Sequence, residues 1–109
     1  MITEESRIMK ELILYEERLL ENRSDAATLK ELLDAKCVEF AIPGTAEGVS
    51  YIDSNTVRMI ELSDDCKLLL YIAAKVCKNA RMKSNQSSIW KKTDSKWKLL
   101  FHQETKCTE

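Results

Sequence analysis

Apolar residues at Ile8, Met9, Leu12, Ile13, Tyr15, Leu19 and Leu20 recur at helical spacing. This pattern predicts a first helix of about five turns. Thr3 suits its N-cap, and Glu4 and Glu5 suit the positive end of the helix dipole. A second, shorter helix starts from Ser24 or Asp25 and buries Leu29, Leu32 and Leu33. From Cys37 the period changes to two, which predicts strands over 37–42, 55–62, 67–76, 86–92 and 97–103. Pro43-Gly44 ends the first strand, and 43–55 reads as a loop holding both glycines and the only proline. Asp64-Asp65 and Asp94-Ser95 are the centres of two tight turns. Two helices followed by an antiparallel sheet make the fold class α+β.

Side chains alternate across a strand, so each strand divides into two faces. With two-residue turns at Asp64-Asp65 and Asp94-Ser95, Met59 opposes Leu70, Val57 opposes Ile72, Trp90 opposes Leu99 and Ser88 opposes Phe101. One face then carries Val38, Phe40, Ile42, Val57, Met59, Leu68, Leu70, Ile72, Trp90, Trp97, Leu99 and Phe101. It is the face the helices cover, and its only polar residues are Glu61, Ser88 and Gln103. The reverse face holds Ile60, Leu62, Leu69, Tyr71, Ile89 and Leu100 beside Glu39, Arg58, Ser87 and His102. An open antiparallel sheet usually turns a polar face to water. Six large apolar residues there predict a homodimer through that face, with Ile60, Leu69, Tyr71, Ile89, Leu100 and His102 in the interface.

The chain has 109 residues, the length of a single domain over 1–109 with one modest core. Two glycines cannot build a phosphate-binding glycine loop, and one histidine excludes His-rich zinc sites. No metal or cofactor is expected. The formal net charge of −1 hides an asymmetry. Residues 1–34 have nine acids and five bases, residues 35–74 six and three, and residues 75–106 two acids and nine bases. No aromatic alternates with those lysines on an exposed face, so the pattern fits acidic helices beside a basic sheet edge, with no nucleic-acid partner. The acidic N-terminus has no signal-peptide pattern, and the longest apolar run, 68–74, is far short of a membrane span. Four scattered cysteines without a Cys-x-x-Cys pair read as reduced thiols, so a cytoplasmic protein with no membrane partner is expected.

A long helix, a short helix and a Val38-Glu39-Phe40 strand before Pro43-Gly44 come first. Hairpins with Ser87-Ser88-Ile89-Trp90 and Trp97-Lys98-Leu99-Leu100-Phe101-His102-Gln103 follow. The whole resembles the nuclear-transport-factor-2-like superfamily, in its SnoaL-like, domain-of-unknown-function branch. The resemblance covers most of the chain. It implies a curved sheet wrapped around helices as a cone, a pocket at the open end, and frequent dimerisation through the outer sheet face. It does not select a reaction, because members include isomerases, epoxide hydrolases, cyclases and a kinase association domain. Three departures stand out: no room for the usual pocket-capping helix after Gly44, Gln86 in place of an arginine before Ser-Ser, and Glu104 in place of a glycine after His-Gln.

The expected pocket residues are Phe40, Met59, Leu70, Trp90, Phe101 and Gln103, around a small apolar ligand. The candidates for acid–base chemistry are Glu61, Glu39 and His102. On the reverse face His102 lies beside Ser87 with Glu39 near, a set that resembles a nucleophilic triad but, with no strained turn at Ser87, reads as a polar network in the interface. Three readings therefore stand. The first is a dimeric cone protein that binds an apolar ligand without catalytic machinery. The second is a general acid–base isomerase, hydrolase or cyclase. The third is a protein-interaction module using the sheet face.

Overall fold

The computed structural model describes residues 3–21, 25–40, 49–77 and 80–107. Helix α1 spans Glu4–Glu21 and helix α2 Ala26–Leu32. Five strands follow: β1 (Leu33–Phe40), β2 (Val49–Ser63), β3 (Cys66–Cys77), β4 (Ala80–Thr93) and β5 (Lys96–Lys106). They form one curved sheet in the order β1-β5-β4-β3-β2, antiparallel except for the parallel β1–β5 pair. The fold is α+β. The loop expected at 43–55 in place of a full helix is strand from Val49 onward, because Val49, Ser50 and Tyr51 pair with β3 at Val76, Lys75 and Ala74. Its first part, 43–48, lies outside the described residues, as does Ile42.

The helix ends are fixed locally. Thr3 Oγ1 accepts the Ser6 N–H at 3.1 Å, and the Thr3 carbonyl accepts the Arg7 N–H at 3.1 Å. Asp25 caps α2 by accepting from Ala27 N at 3.3 Å and from the Thr28 hydroxyl at 2.7 Å. At the other end of α2 the Lys98 ammonium donates to the Glu31 carbonyl at 2.6 Å, where a cation also suits the dipole. The Asp94-Ser95 turn has both central residues at positive φ, 52° and 65°, as a two-residue hairpin with right-handed strand twist requires.

The helices cover the concave face. Leu12, Leu32, Leu69, Tyr71, Ala73, Trp90, Trp97 and Leu99 form the buried core, and Val57 and Met59 pack against it. Tyr15 adds its ring to Trp90 at a centroid distance of 5.7 Å. Burial of this set from water is the main term that holds helices to sheet.

Two irregularities set which side chains face inward. Between the pairs Glu61↔Lys67 and Ser63↔Cys66, β2 carries one extra residue, Leu62. Between Trp90↔Leu99 and Ile89↔Phe101, β5 carries one extra residue, Leu100. Each extra residue reverses the alternation beyond it. Met59 therefore pairs with Leu69 rather than Leu70, and Ser88 with His102 rather than Phe101. This corrects the sequence-derived faces. Leu69, Tyr71 and His102, expected on the reverse face, are buried under the helices, whereas Leu68, Leu70, Ile72, Phe101 and Gln103 alternate outward. On β1 the parity is likewise opposite to expectation, since Cys37 packs against the core while Val38 is exposed.

Register partners then align in rows across the sheet. On the concave side Met59, Leu69, Ser88, His102 and Glu39 follow one another across all five strands. Beside them run Tyr71, Gln86 and Glu104. On the convex side Ile60, Leu68, Ile89, Phe101 and Val38 form a matching apolar row.

Candidate functional site

The concave rows bring polar residues together beneath α1. Glu16 lies on the buried face of α1, one turn beyond Leu12, and is only 2% exposed. Its carboxylate accepts from the Ser88 hydroxyl at 2.8 Å (Oε2) and from the Tyr71 hydroxyl at 3.0 Å (Oε1). Ser88, with no exposed surface, also stands 2.6 Å from His102 Nδ1. His102 Nδ1 is 3.8 Å from Glu16 Oε1, and its Nε2 is 3.6 Å from Glu104 Oε1. Gln86 and Ser84 extend the network, with Gln86 Oε1 3.0 Å from the Tyr71 oxygen and Gln86 Nε2 donating to Ser84 Oγ at 3.1 Å. Among the described residues the buried Trp90 N–H has no hydrogen-bond partner of normal length, but it adds a further favourable interaction with the Glu16 carboxylate.

Electrostatics follow from this burial. Loss of water pushes the Glu16 carboxyl above the usual carboxylate range, against the pull of His102, Ser88, Tyr71 and Trp90. Burial pulls His102 downward, but hydrogen bonding to Glu104 and the charges of Glu16, Glu104 and Glu39 outweigh it, so its proton is held above the ordinary imidazole value. Both groups therefore retain protons to higher pH than they would in water. A chain from His102 Nδ1–H to Ser88 Oγ, and from the Ser88 hydroxyl to Glu16, satisfies every donor in it. Such a chain can accept or deliver a proton at its Glu16 or His102 end.

A cavity of about 250 Å³ adjoins this network. Leu19 and Leu20 of α1, Leu29 of α2, Leu33 of β1 and Leu99 of β5 supply its apolar walls. Glu16, Tyr71, His102 and Glu39 supply its polar end. Glu39 is exposed, so solvent reaches the cavity beside it.

Of the expected pocket residues, Trp90 and Met59 belong to the core around the network, and neither lines this cavity. Leu70 and Gln103 lie on the convex side, where Gln103 Oε1 accepts from the Ser87 hydroxyl at 2.5 Å. Phe101 belongs to the convex apolar row, for the reason given by the Leu100 bulge. Phe40 pairs with Gln103 through its backbone, and its side chain lies outside the described residues. Of the expected interface residues, Ile60 and Ile89 are convex and Leu100 is the bulged residue, while Leu69, Tyr71 and His102 are interior. Of the acid–base candidates, Glu39 and His102 meet as register partners at the cavity. Glu61 instead pairs with the buried Lys67 at 2.5 Å, away from it.

The residue that sequence reasoning missed is Glu16. The signal was present: a carboxylate inside the apolar stripe of a helix, between Leu12 and Leu19. Tyr71 and Glu104 left no such local trace, because their inward placement depends on the two bulges.

The described residues thus define a cone-shaped α+β protein with a polar pocket between helices and curved sheet. Its fold is the nuclear-transport-factor-2-like cone, as comparison with solved structures shows. The association domain of CaMKII from C. elegans superposes with a TM-score of 0.66 at 15% identity, covering 94% of this chain and 99% of that one. A ketosteroid-isomerase-like protein from Parabacteroides distasonis gives 0.69 at 14% identity, over 93% and 89% of the two chains. An NTF-2-like protein of unknown function from Shewanella oneidensis gives 0.68 at 8% identity, over 91% and 97%. At the level of sequence, no family model and no curated protein matches the chain.

Proposed function

We propose that this protein binds a small, largely apolar molecule in the cone and holds its polar end against Glu16, Tyr71, His102 and Glu39. The observation that carries this reading is the 250 Å³ cavity, with five leucines on its walls and four polar side chains converging at one end. Ligand sites are typically apolar pockets with a few convergent polar groups. A cavity of about 150 Å³ already accommodates benzene, so this one has room for a ring with a short side chain. The Glu16–Ser88–His102 chain supports general acid–base work on such a ligand as an extension of binding. NMR titration with one-ring compounds tests the reading. Saturable shifts of the Leu19, Leu20 and Leu29 methyls are expected, weakened by Leu29→Phe, which fills part of the volume. Absence of saturable shifts with neutral, cationic and anionic rings alike would overturn it.

A second reading, self-association through the convex face, is supported by the row Ile60, Leu68, Ile89, Phe101 and Val38. The likeness to a kinase association domain also supports it. Light scattering on the eluted protein tests it. A dimer or larger species that Ile89→Lys converts to monomer is expected, and a monomer at every concentration would end this reading.

A further inference from the structure

We infer that the ligand of this cavity is an amphiphilic amine, a one- or two-ring apolar body carrying a single ammonium group. The inference rests on the ligand-binding reading above and specifies its chemistry. Among the described residues, the polar end of the cavity presents two carboxylates, Glu16 from α1 and Glu39 from β1, and no lysine or arginine lines it. The one nitrogen base present, His102, is already shared between Glu16 and Glu104 at 3.8 and 3.6 Å. Glu39 has no ion pair among the described residues, although it stands in register beside His102. The cavity end is therefore short of positive charge.

A carboxylate beside an apolar cavity is costly unless it is paired or protonated. Without a ligand, Glu16 meets this constraint by retaining its proton more firmly than an exposed carboxyl. An ammonium between Glu16 and Glu39 meets it by pairing, and the leucine walls take the apolar body. A carboxylate or phosphate ligand would instead add like charge to two acids. The volume, about 250 Å³, suits roughly nine to ten heavy atoms, by scaling from benzene in a cavity of about 150 Å³.

Among the described residues, the groups facing the bound ammonium are Glu16 (α1), Glu39 (β1), Tyr71 (β3) and His102 (β5), with Glu104 behind His102. Raising the pH takes protons from Glu16 and His102, and each loss makes the cavity end more negative. Amine affinity therefore rises with pH until the ligand itself deprotonates.

The test compares three probes of similar size by calorimetry at pH 7.5: phenethylamine, propylbenzene and 3-phenylpropionate. Phenethylamine is expected to bind at least tenfold more tightly than either of the others. Glu39→Gln and Glu16→Gln are each expected to lower the phenethylamine-to-propylbenzene ratio severalfold. Between pH 6 and 8 the amine affinity should rise severalfold, while that of propylbenzene follows no such trend. Equal binding of amine and neutral ring, or tighter binding of the anion, overturns the amine assignment and leaves the pocket reading standing. Failure of all three probes overturns both.

Discussion

Ser88 and His102 face each other across β4 and β5, with Ser88 Oγ 2.6 Å from His102 Nδ1. The same hydroxyl donates to Glu16, so one side chain ties the helix to two strands. Ser88→Ala removes a hydrogen-bond donor from a carboxylate that is 2% exposed. The loss is expected to be about 1–3 kcal/mol, the cost of leaving a buried polar group short of a partner. Urea unfolding measures it, and a change within error would show that α1 is held by its leucines alone.

Stability should fall as pH rises through the neutral range. Glu16 and His102 both have folded-state values above their ordinary ones, so the folded chain binds more protons than the unfolded chain. For His102 the contribution is complete below its unfolded value of about 6.5 and is lost as pH rises through the folded value. For Glu16 the loss begins near the ordinary carboxylate value of about 4.3 and ends at its raised one. The exposed Asp25 and Glu31, both lowered, act in the opposite direction only at acid pH. Unfolding free energies between pH 5 and 8 check this, with Glu16→Gln and His102→Gln each expected to flatten the slope. The chain has one histidine, so a single imidazole resonance reports the titration directly. A midpoint at or below about 6.5 would contradict the assignment.

Lys67 is 2% exposed and donates to Glu61 Oε1 at 2.5 Å and to the Ser63 carbonyl at 3.0 Å. Its aliphatic stem lies in the row with Trp90, so the ammonium reaches back to the β2–β3 turn. Glu61→Ala strands the buried cation and should cost about 1–2 kcal/mol, discounted because Glu61 is half exposed. Lys67→Met removes the charge but keeps the packing, and should cost less. Thermal unfolding ranks the two variants, and the reverse order would mean that the ion pair itself stabilises the turn.

Ser95 holds φ at 65°, a region that costs a residue with a Cβ about 1 kcal/mol. Ser95→Gly relieves that cost and should raise stability by several tenths to about 1 kcal/mol, net of added chain entropy. Asp94→Gly should gain less, since Asp tolerates this conformation better than Ser. Denaturation midpoints for the two variants provide the comparison, and a destabilised Ser95→Gly would argue against the turn.

The sequence by itself determined the order and kind of the elements. Helical spacing in α1, the Asp25 cap and the Asp94-Ser95 turn are local features, each set by residues within a few positions of one another. It also determined that β4 and β5 meet with Trp90 opposite Leu99, because the turn fixes the register next to it. The tertiary structure alone decided which residues share the site. A strand has a period of two, so one extra residue, Leu62 in β2 or Leu100 in β5, reverses the side chains beyond it, in β2 as far as the next register shift between Asp53 and Arg58. No local pattern marks either bulge, because both parities of these strands are rich in apolar residues. The choice fell to packing: Tyr71, Ser88 and His102 reach the concave face where Glu16 waits on α1, and each polar group finds a partner there.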